Sequence, residues 1–137
     1  MMINVIVFML MLPLSPGGGI LGPLIRWLGL SPDMWLVGPP YLPIWQMVTY
    51  GFVHDTSGLM HILSNMLALY FFGGLLEQMI GSRRLAIGYF GALFAGGLAH
   101  LVAGWIAGSS IPGVGASGAV LGVLIMAAVL QPDARVI

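Results

Sequence analysis

The chain contains no cysteine and no lysine, and only 6% of its residues are charged. Without cysteine, disulfides, thiolate metal sites and cysteine nucleophiles are excluded. A soluble domain carries about 25% charged residues, so the scarcity of charge argues against a soluble protein. The formal net charge is zero, and the basic surface that nucleic-acid binding needs is therefore missing. We expect no nucleic-acid partner.

Apolar residues take the place of charge. They make up 59% of the chain, and the mean hydropathy is +1.04. A protein of 137 residues has too small an interior to hide this much apolar surface from water, so we expect a lipid bilayer around it. A spanning helix needs about 20 residues, and the length therefore allows one domain with three or four spans. The predicted fold class is all-α, a polytopic transmembrane helical bundle.

Three apolar stretches, residues 59–80, 85–107 and 116–130, are predicted to span the membrane. Residues 1–14 are too short for a span and have no positive region or cleavage site typical of a signal peptide. We interpret them as part of a first span. Between them and residue 59, repeated prolines exclude a continuous spanning helix, and short interfacial helices are expected. Five rings are predicted to lie at headgroup depth: Trp27, Trp35, Tyr41, Trp45 and Tyr50.

The four arginines predict the orientation. Arg83, Arg84 and Arg135 fall on one side if the spans alternate, and the positive-inside rule makes that side cytoplasmic. His61 and Ser117 then lie toward the outer side at matching depth. The stretch 85–107 carries two rows of small residues that predict close helix packing. One row is Gly91, Ala95, Ala99, Ala103 and Ala107, and the other is Gly88, Ala92, Gly96, Gly104 and Gly108.

Ser117 is the first candidate for chemistry. It lies in Gly115-Ala116-Ser117-Gly118 at the start of an apolar helix, where glycine permits close backbone approach and free N–H groups can stabilise a negative oxygen. These are the requirements of a serine nucleophile that attacks a carbonyl. A serine that only caps or packs a helix is the alternative.

His61 and Asn65 are the second candidates. Their spacing of four places both on one helix face, where they could donate hydrogen bonds to an oxyanion or simply lock two helices together. For His54 we predict a role in ordering its loop. His100 is less suited to act as the general base, because it is expected nearer the middle of the bilayer. No spacing typical of a metal site occurs, and we expect no metal or cofactor.

These motifs resemble the rhomboid intramembrane serine proteases. The resemblance covers about residues 45–135 and includes Phe52-Val53-His54, Met60-His61-Ile62-Leu63-Ser64-Asn65, and Gly115-Ala116-Ser117-Gly118. It implies that Ser117 is the nucleophile, that His61, Asn65 and the Ser117 N–H form the oxyanion hole, and that Gly115 allows the substrate to approach. It also implies a transmembrane protein substrate, and a multi-pass protein, with the bacterial inner membrane as the expected location. Gln46 follows Trp45 where the family usually has arginine.

The resemblance also implies six core spans, with a histidine base on the last. Only about four are predicted in residues 1–137, so this rhomboid-like domain is expected to be incomplete at its C-terminus and possibly at its N-terminus. The general base is then not in this chain, and these residues alone are expected to be inactive. The alternative is a catalytically inactive rhomboid-like protein that binds transmembrane helices. A transporter segment is a weaker third interpretation, because no inverted repeat is evident.

Overall fold

The computed structural model describes residues 1–14, 20–38, 41–56 and 58–131. Within these ranges the chain is helical and contains no β-strand, which confirms the all-α prediction. A 3₁₀ turn at Leu12–Leu14 follows the first helix, and a π-helical turn at Leu69–Gly73 joins the fifth to the sixth. The α-helices are α1 (Met2–Met11), α2 (Leu21–Leu28), α3 (Pro32–Leu36), α4 (Gln46–Thr49), α5 (Leu59–Ala68), α6 (Gly74–Ile80), α7 (Ser82–Ala107) and α8 (Ser117–Leu130).

The proline-rich connection between α1 and α5 forms three short helices, α2, α3 and α4, as predicted for its described residues. Pro32 begins α3, where a missing N–H costs no helical hydrogen bond and the fixed φ suits the first turn. Pro16, Pro39 and Pro40, which the prediction also used, lie outside the described residues.

Among the described residues, two continuous helices are long and apolar enough to cross a membrane. The first, Leu59–Ile80, has the predicted bounds and consists of α5, the π-helical turn and α6. The second, α7, begins at Ser82, three residues before the predicted start. The predicted charged turn over residues 81–84 is therefore a single residue, because Gly81 adopts φ +80° and reverses the chain alone.

Helix α8 has 14 residues and begins at Ser117, one residue later than predicted. At 1.5 Å per residue it is about 21 Å long, shorter than the roughly 30 Å hydrocarbon core of a bilayer. The sequence predicts a third span over residues 116–130, but α8 is shorter than the two described helices that could cross a membrane. Arg135, which the orientation argument used, lies outside the described residues.

The close packing of α7 and α8 confirms part of one predicted small-residue row, Gly88, Ala92 and Gly96. In the same row, Gly104 faces Pro32 instead and Gly108 is exposed. Gly96 on α7 faces Gly118 on α8 so closely that a Cβ added to Gly96 would lie 3.4 Å from the Gly118 Cα. One turn away, a Cβ added to Gly122 would lie 2.2 Å from the Ala92 Cβ. Only glycine fits at position 122 without moving the helices apart.

The other predicted row does not pack within the part of the chain that the structure describes. Its side of α7 is exposed along the whole helix, and a Cβ added to Gly91 would meet nothing within 4 Å. Spacing alone does not distinguish a row that faces a neighbour from one that faces outward. The exposed members are Gly91, Ala95, Ala99, Ala103 and Ala107.

The connection that contains α2–α4 packs against α7 and α8 through a buried apolar cluster. Leu30, Met47 and Tyr50 supply the connection's share of this cluster. The helices contribute Leu93, Leu101 and Ala119. These side chains make van der Waals contacts with one another, and this packing fixes the connection beside the start of α8.

Gln46 is the polar centre of this connection and is completely buried. Its side-chain oxygen Oε1 accepts hydrogen bonds from the Ser31 N–H (3.0 Å) and the Trp35 Nε1–H (3.2 Å). Its Nε2 donates to the carbonyl oxygens of Arg26 (3.0 Å) and Trp27 (3.2 Å). The amide of Gln46 can accept both hydrogen bonds and donate the other two, whereas a guanidinium could only donate. Gln46 therefore joins α2, α3 and α4 through a set of hydrogen bonds that an arginine could not make.

Candidate active site at the start of helix α8

The segment 111–116 leads directly into Ser117, and all three histidines of the chain contact it. Nε2 of His100 lies 3.2 Å from the Ile111 carbonyl oxygen. The Ala116 N–H donates to Nε2 of His54 at 3.4 Å. The ring of His61 lies against Gly115. Residues that are 46 positions apart in sequence thus converge on one short loop.

Backbone hydrogen bonds fix the same loop from the other side. Leu30 and Gly113 exchange two N–H···O hydrogen bonds of 2.9 Å each, as paired residues of antiparallel strands do. The Gly115 N–H donates to the Tyr50 carbonyl oxygen at 2.9 Å. With these contacts on both sides, the backbone before Ser117 is held at several points and cannot shift independently of the bundle.

Gly115 adopts φ +105°, a conformation that favours glycine. A Cβ at this position would lie 2.8 Å from Cε1 and 2.9 Å from Nε2 of His61. The room left by the missing side chain is therefore filled by the His61 imidazole. The sequence predicted room for a substrate at Gly115, and the structure places a candidate site residue there.

Asn65 lies one helical turn beyond His61 on α5 and is buried. Its Nδ2 donates to the His61 carbonyl oxygen at 3.0 Å. That contact uses one of the two amide protons and holds the side chain along the helix toward His61. Their spacing of four therefore does place the two residues together, as predicted.

His54 is fully buried, with a relative exposure of 0%, so its ring nitrogens have only protein partners. Nδ1 lies 3.3 Å from the Phe52 carbonyl oxygen. The ring also stands edge-on to the His61 ring, with centroids 5.4 Å apart. Burial lowers the pKa of His54 below its ordinary value of 6.5. These contacts agree with the predicted loop-ordering role and add a direct contact with His61.

The side chain of Ser117 is exposed, and so are Leu121 and Ile125, one and two turns further along the same face of α8. In the described part of the chain, none of the three histidines hydrogen-bonds to the Ser117 hydroxyl. Because α8 begins at Ser117, the N–H groups of its first turn have no acceptor within the helix. They and the helix dipole favour a negative oxygen at this place.

Two site contacts were not predicted from the sequence. Tyr50, expected at headgroup depth, is buried between α7 and α8, and its hydroxyl donates to the Leu93 carbonyl oxygen. Burial raises the pKa of Tyr50 to about 12, so the hydroxyl keeps its proton. His100, for which no contact was predicted, reaches the loop before Ser117.

Metal ligation has no support in the described ranges, since no three His, Asp or Glu side chains come together there.

The candidate site lies in a region of the chain that matches a known protein family. No curated protein and no solved structure matches the chain at a significant level. A family model described as the rhomboid domain matches residues 42–137. That range begins before α4 and includes every residue of the candidate site. Because the match covers well over half of the sequence, the chain belongs to the rhomboid family, a family of intramembrane proteases whose domain is a helical membrane bundle.

Proposed function

We propose that this protein is an intramembrane serine endopeptidase and that Ser117 is its nucleophile. One observation supports the proposal above all others. Ser117 is the first residue of α8, and the loop before it is held by His54, His61 and Tyr50, so an exposed hydroxyl stands beside unpaired N–H groups. A hydroxyl that only capped or packed a helix would not need this surrounding.

Peptide hydrolysis would proceed in two steps, acylation of Ser117 and hydrolysis of the acyl-enzyme. The Ser117 Oγ attacks the carbonyl carbon of a peptide bond while its proton passes to a general base. The carbonyl oxygen becomes an oxyanion, the C–N bond then breaks, and the amine leaves with the proton from the base. Water attacks the resulting acyl-enzyme by the same route and releases the carboxylic product and free Ser117.

The oxyanion would be bound by the Ser117 N–H and the side chains of His61 and Asn65. Asn65 has a second amide proton besides the one on the His61 carbonyl oxygen. Preorganised donors of this kind are worth about 10²–10³ in kcat each. The His61 ring also lies in the space that the missing side chain of Gly115 leaves, and this contact holds the ring in place.

The general base would be a histidine from a segment other than residues 1–137. The exposed face of α8 that carries Ser117, Leu121 and Ile125 leaves room for such a segment. A serine hydroxyl without an adjacent base is a weak nucleophile. Residues 1–137 alone are therefore expected to be inactive, and the full-length protein to be active.

The substrate would be another membrane protein, cut near the outer end of a transmembrane helix. Rhomboid proteins act on transmembrane substrates within the bilayer. Helices Leu59–Ile80 and α7 have the length and hydropathy to cross it. We propose a multi-pass arrangement in the bacterial inner membrane, with the start of α8 toward the outer side.

The test is cleavage of a transmembrane substrate by the full-length protein in liposomes. The substrate carries small and helix-weakening residues at the outer end of its span. Ser117→Ala is expected to abolish cleavage. Ser64→Ala is the matched control, because Ser64 is exposed on α5 and its hydroxyl donates to a backbone carbonyl oxygen of its own helix, that of His61. Cleavage that survives Ser117→Ala would overturn the proposal.

The second candidate function is a catalytically inactive protein that binds transmembrane helices. The exposed small-residue row on α7, Gly91 to Ala107, favours it, because such rows let another helix approach closely. On this alternative, partner binding persists in Ser117→Ala and is lost when Ala99 is replaced by a bulky residue. The two candidates therefore respond to different substitutions.

A further inference from the structure

The two ring nitrogens of His54 make hydrogen bonds in opposite directions: one donates and the other accepts. The Phe52 carbonyl oxygen can only accept a hydrogen bond, so Nδ1 must carry the proton. The Ala116 N–H can only donate, so Nε2 must offer its lone pair. The two contacts together select the neutral Nδ1–H tautomer. Burial, which lowers the pKa of His54, favours the same neutral form.

The peptide held by His54 immediately precedes the nucleophile. Two successive N–H groups, of Gly115 and Ala116, are bonded to the Tyr50 carbonyl oxygen and to His54. The following peptide unit, whose N–H belongs to Ser117, shares the Ala116 Cα with the unit that His54 holds, and its carbonyl oxygen accepts a hydrogen bond from the Val120 N–H at 2.9 Å, so both units are held around that Cα. His54 therefore acts on the direction of that N–H without contacting a substrate.

The same imidazole also contacts the second group of the site. Its ring lies at 66° to the His61 ring with centroids 5.4 Å apart. Cδ2 of His54 lies 3.7 Å from the position of a Cβ on Gly115, on which His61 also packs. His54, His61 and Gly115 are thus mutually in contact, and movement of the His54 ring would release the His61 ring.

We infer that His54 is a positioning residue of the oxyanion hole: it holds the peptide before Ser117 and the ring of His61 in the geometry that receives the negative oxygen. The inference rests on the proposed function for its catalytic meaning. It assigns no contact with substrate to His54 and does not make it the general base.

Protonation of His54 would remove the acceptor for the Ala116 N–H. The imidazolium carries a proton on Nε2, which would then face the Ala116 N–H with no acceptor between them. Among titratable side chains, His61 on α5 contacts the ring and Asp55 is the next residue in the chain. A second positive charge on His61 would oppose protonation of His54 further.

Two substitutions separate the hydrogen bond from the volume of the ring. His54→Phe keeps a flat ring beside His61 but removes the acceptor for the Ala116 N–H. His54→Gln places an amide oxygen near the position of Nε2 and can restore that acceptor. In the full-length protein in liposomes, we expect His54→Phe to lower kcat about ten- to hundredfold, as small misplacements of reacting groups do. The KM should change less than about twofold, and His54→Gln should recover much of the loss.

An NMR measurement on the same proteins in detergent micelles needs no activity. The Ala116 amide proton is expected downfield and protected from exchange in the wild type and in His54→Gln, and shifted upfield in His54→Phe. In the wild type its signal should titrate together with the His54 ring, below pH 6.5. The inference would be overturned if the Ala116 amide signal changed neither with substitution of His54 nor with pH. This test does not depend on the activity of a variant.

The outcomes distinguish this inference from the proposed function. If Ser117→Ala abolishes cleavage and His54→Phe keeps kcat within threefold of wild type, the positioning role is wrong and the protease remains. If the Ser117→Ala protein stays active, the proposed function is wrong, and so is the catalytic role that we infer for His54. The NMR result then still decides whether His54 holds the Ala116 peptide.

Discussion

The imidazole of His61 lies where a side chain at position 115 would be, within 2.8 Å of the place for a Cβ on Gly115. The two residues come from α5 and from the loop before α8, so their contact joins the two parts of the candidate site. Glycine at 115 is needed twice, for its φ of +105° and for this contact. The oxyanion hole that we propose depends on both.

Gly115→Ala is therefore expected to lower both stability and activity. The backbone conformation alone costs a non-glycine residue about 1–3 kcal/mol, and the new methyl group displaces the His61 ring. Thermal unfolding and substrate cleavage measure the two effects. Gly91→Ala is the control, because this position in α7 is open and alanine favours a helix. Equal stability of both variants would contradict the account.

Gly122→Ala is expected to separate α7 from α8. The added methyl carbon would lie 2.2 Å from the Ala92 Cβ, a distance that neither helix backbone can absorb without moving. Overpacking of this kind costs about 1–3 kcal/mol. The free energy of unfolding in mixed micelles measures the change. A double variant that also carries Ala92→Gly should recover part of the loss, and no recovery would show that the contact is not the cause.

Gln46→Arg is expected to destabilise the connection α2–α4, although it restores the residue usual in the family. The guanidinium can donate to the Arg26 and Trp27 carbonyl oxygens but leaves the N–H groups of Ser31 and Trp35 without an acceptor. Each buried donor without a partner costs about 1–3 kcal/mol. Gln78→Arg, on the exposed side of α6, is the matched control. Unfolding midpoints that fall equally in both variants would argue against the role of Gln46.

The stability of the fold should depend on pH through His54. Its pKa in the folded protein is lowered by burial, so below pH 6.5 the unfolded chain binds a proton more readily than the folded one. The contribution of neutral His54 is therefore complete above pH 6.5 and is lost as the pH falls toward the lower folded value. Unfolding curves from pH 8 to pH 5 measure it. In His54→Gln the acid decline should be smaller, and an unchanged decline would assign it to another group.

Much of the fold could be predicted because its main elements are local in sequence. The apolar run Leu59–Ile80 lies between Gly58 and Gly81, and its predicted ends agree with the structure. The prolines near α2 and α3 likewise exclude a long helix on local grounds alone. The all-α class followed from the long uninterrupted apolar stretches, which are typical of membrane-spanning helices.

Part of the site could be predicted for the same reason, and part could not. His61 and Asn65 share a helix face because they are four residues apart. Ser117 lies at a helix start, where the apolar stretch follows the glycine-containing loop. The contacts of His54, His100 and Tyr50 with the loop 111–116 join distant residues. Such contacts depend on how the helices pack, and a single sequence does not contain a local signal for them.

The most direct test of the central claim is covalent labelling of the full-length protein with a serine-directed fluorophosphonate, followed by mass spectrometry of the peptide that contains Ser117. The account predicts that the phosphonyl adduct is found on Ser117, that it is absent in Ser117→Ala, and that it is strongly reduced in His61→Phe and Asn65→Ala. Labelling of a different serine together with continued substrate cleavage would contradict it, because the nucleophile would then lie elsewhere in the protein.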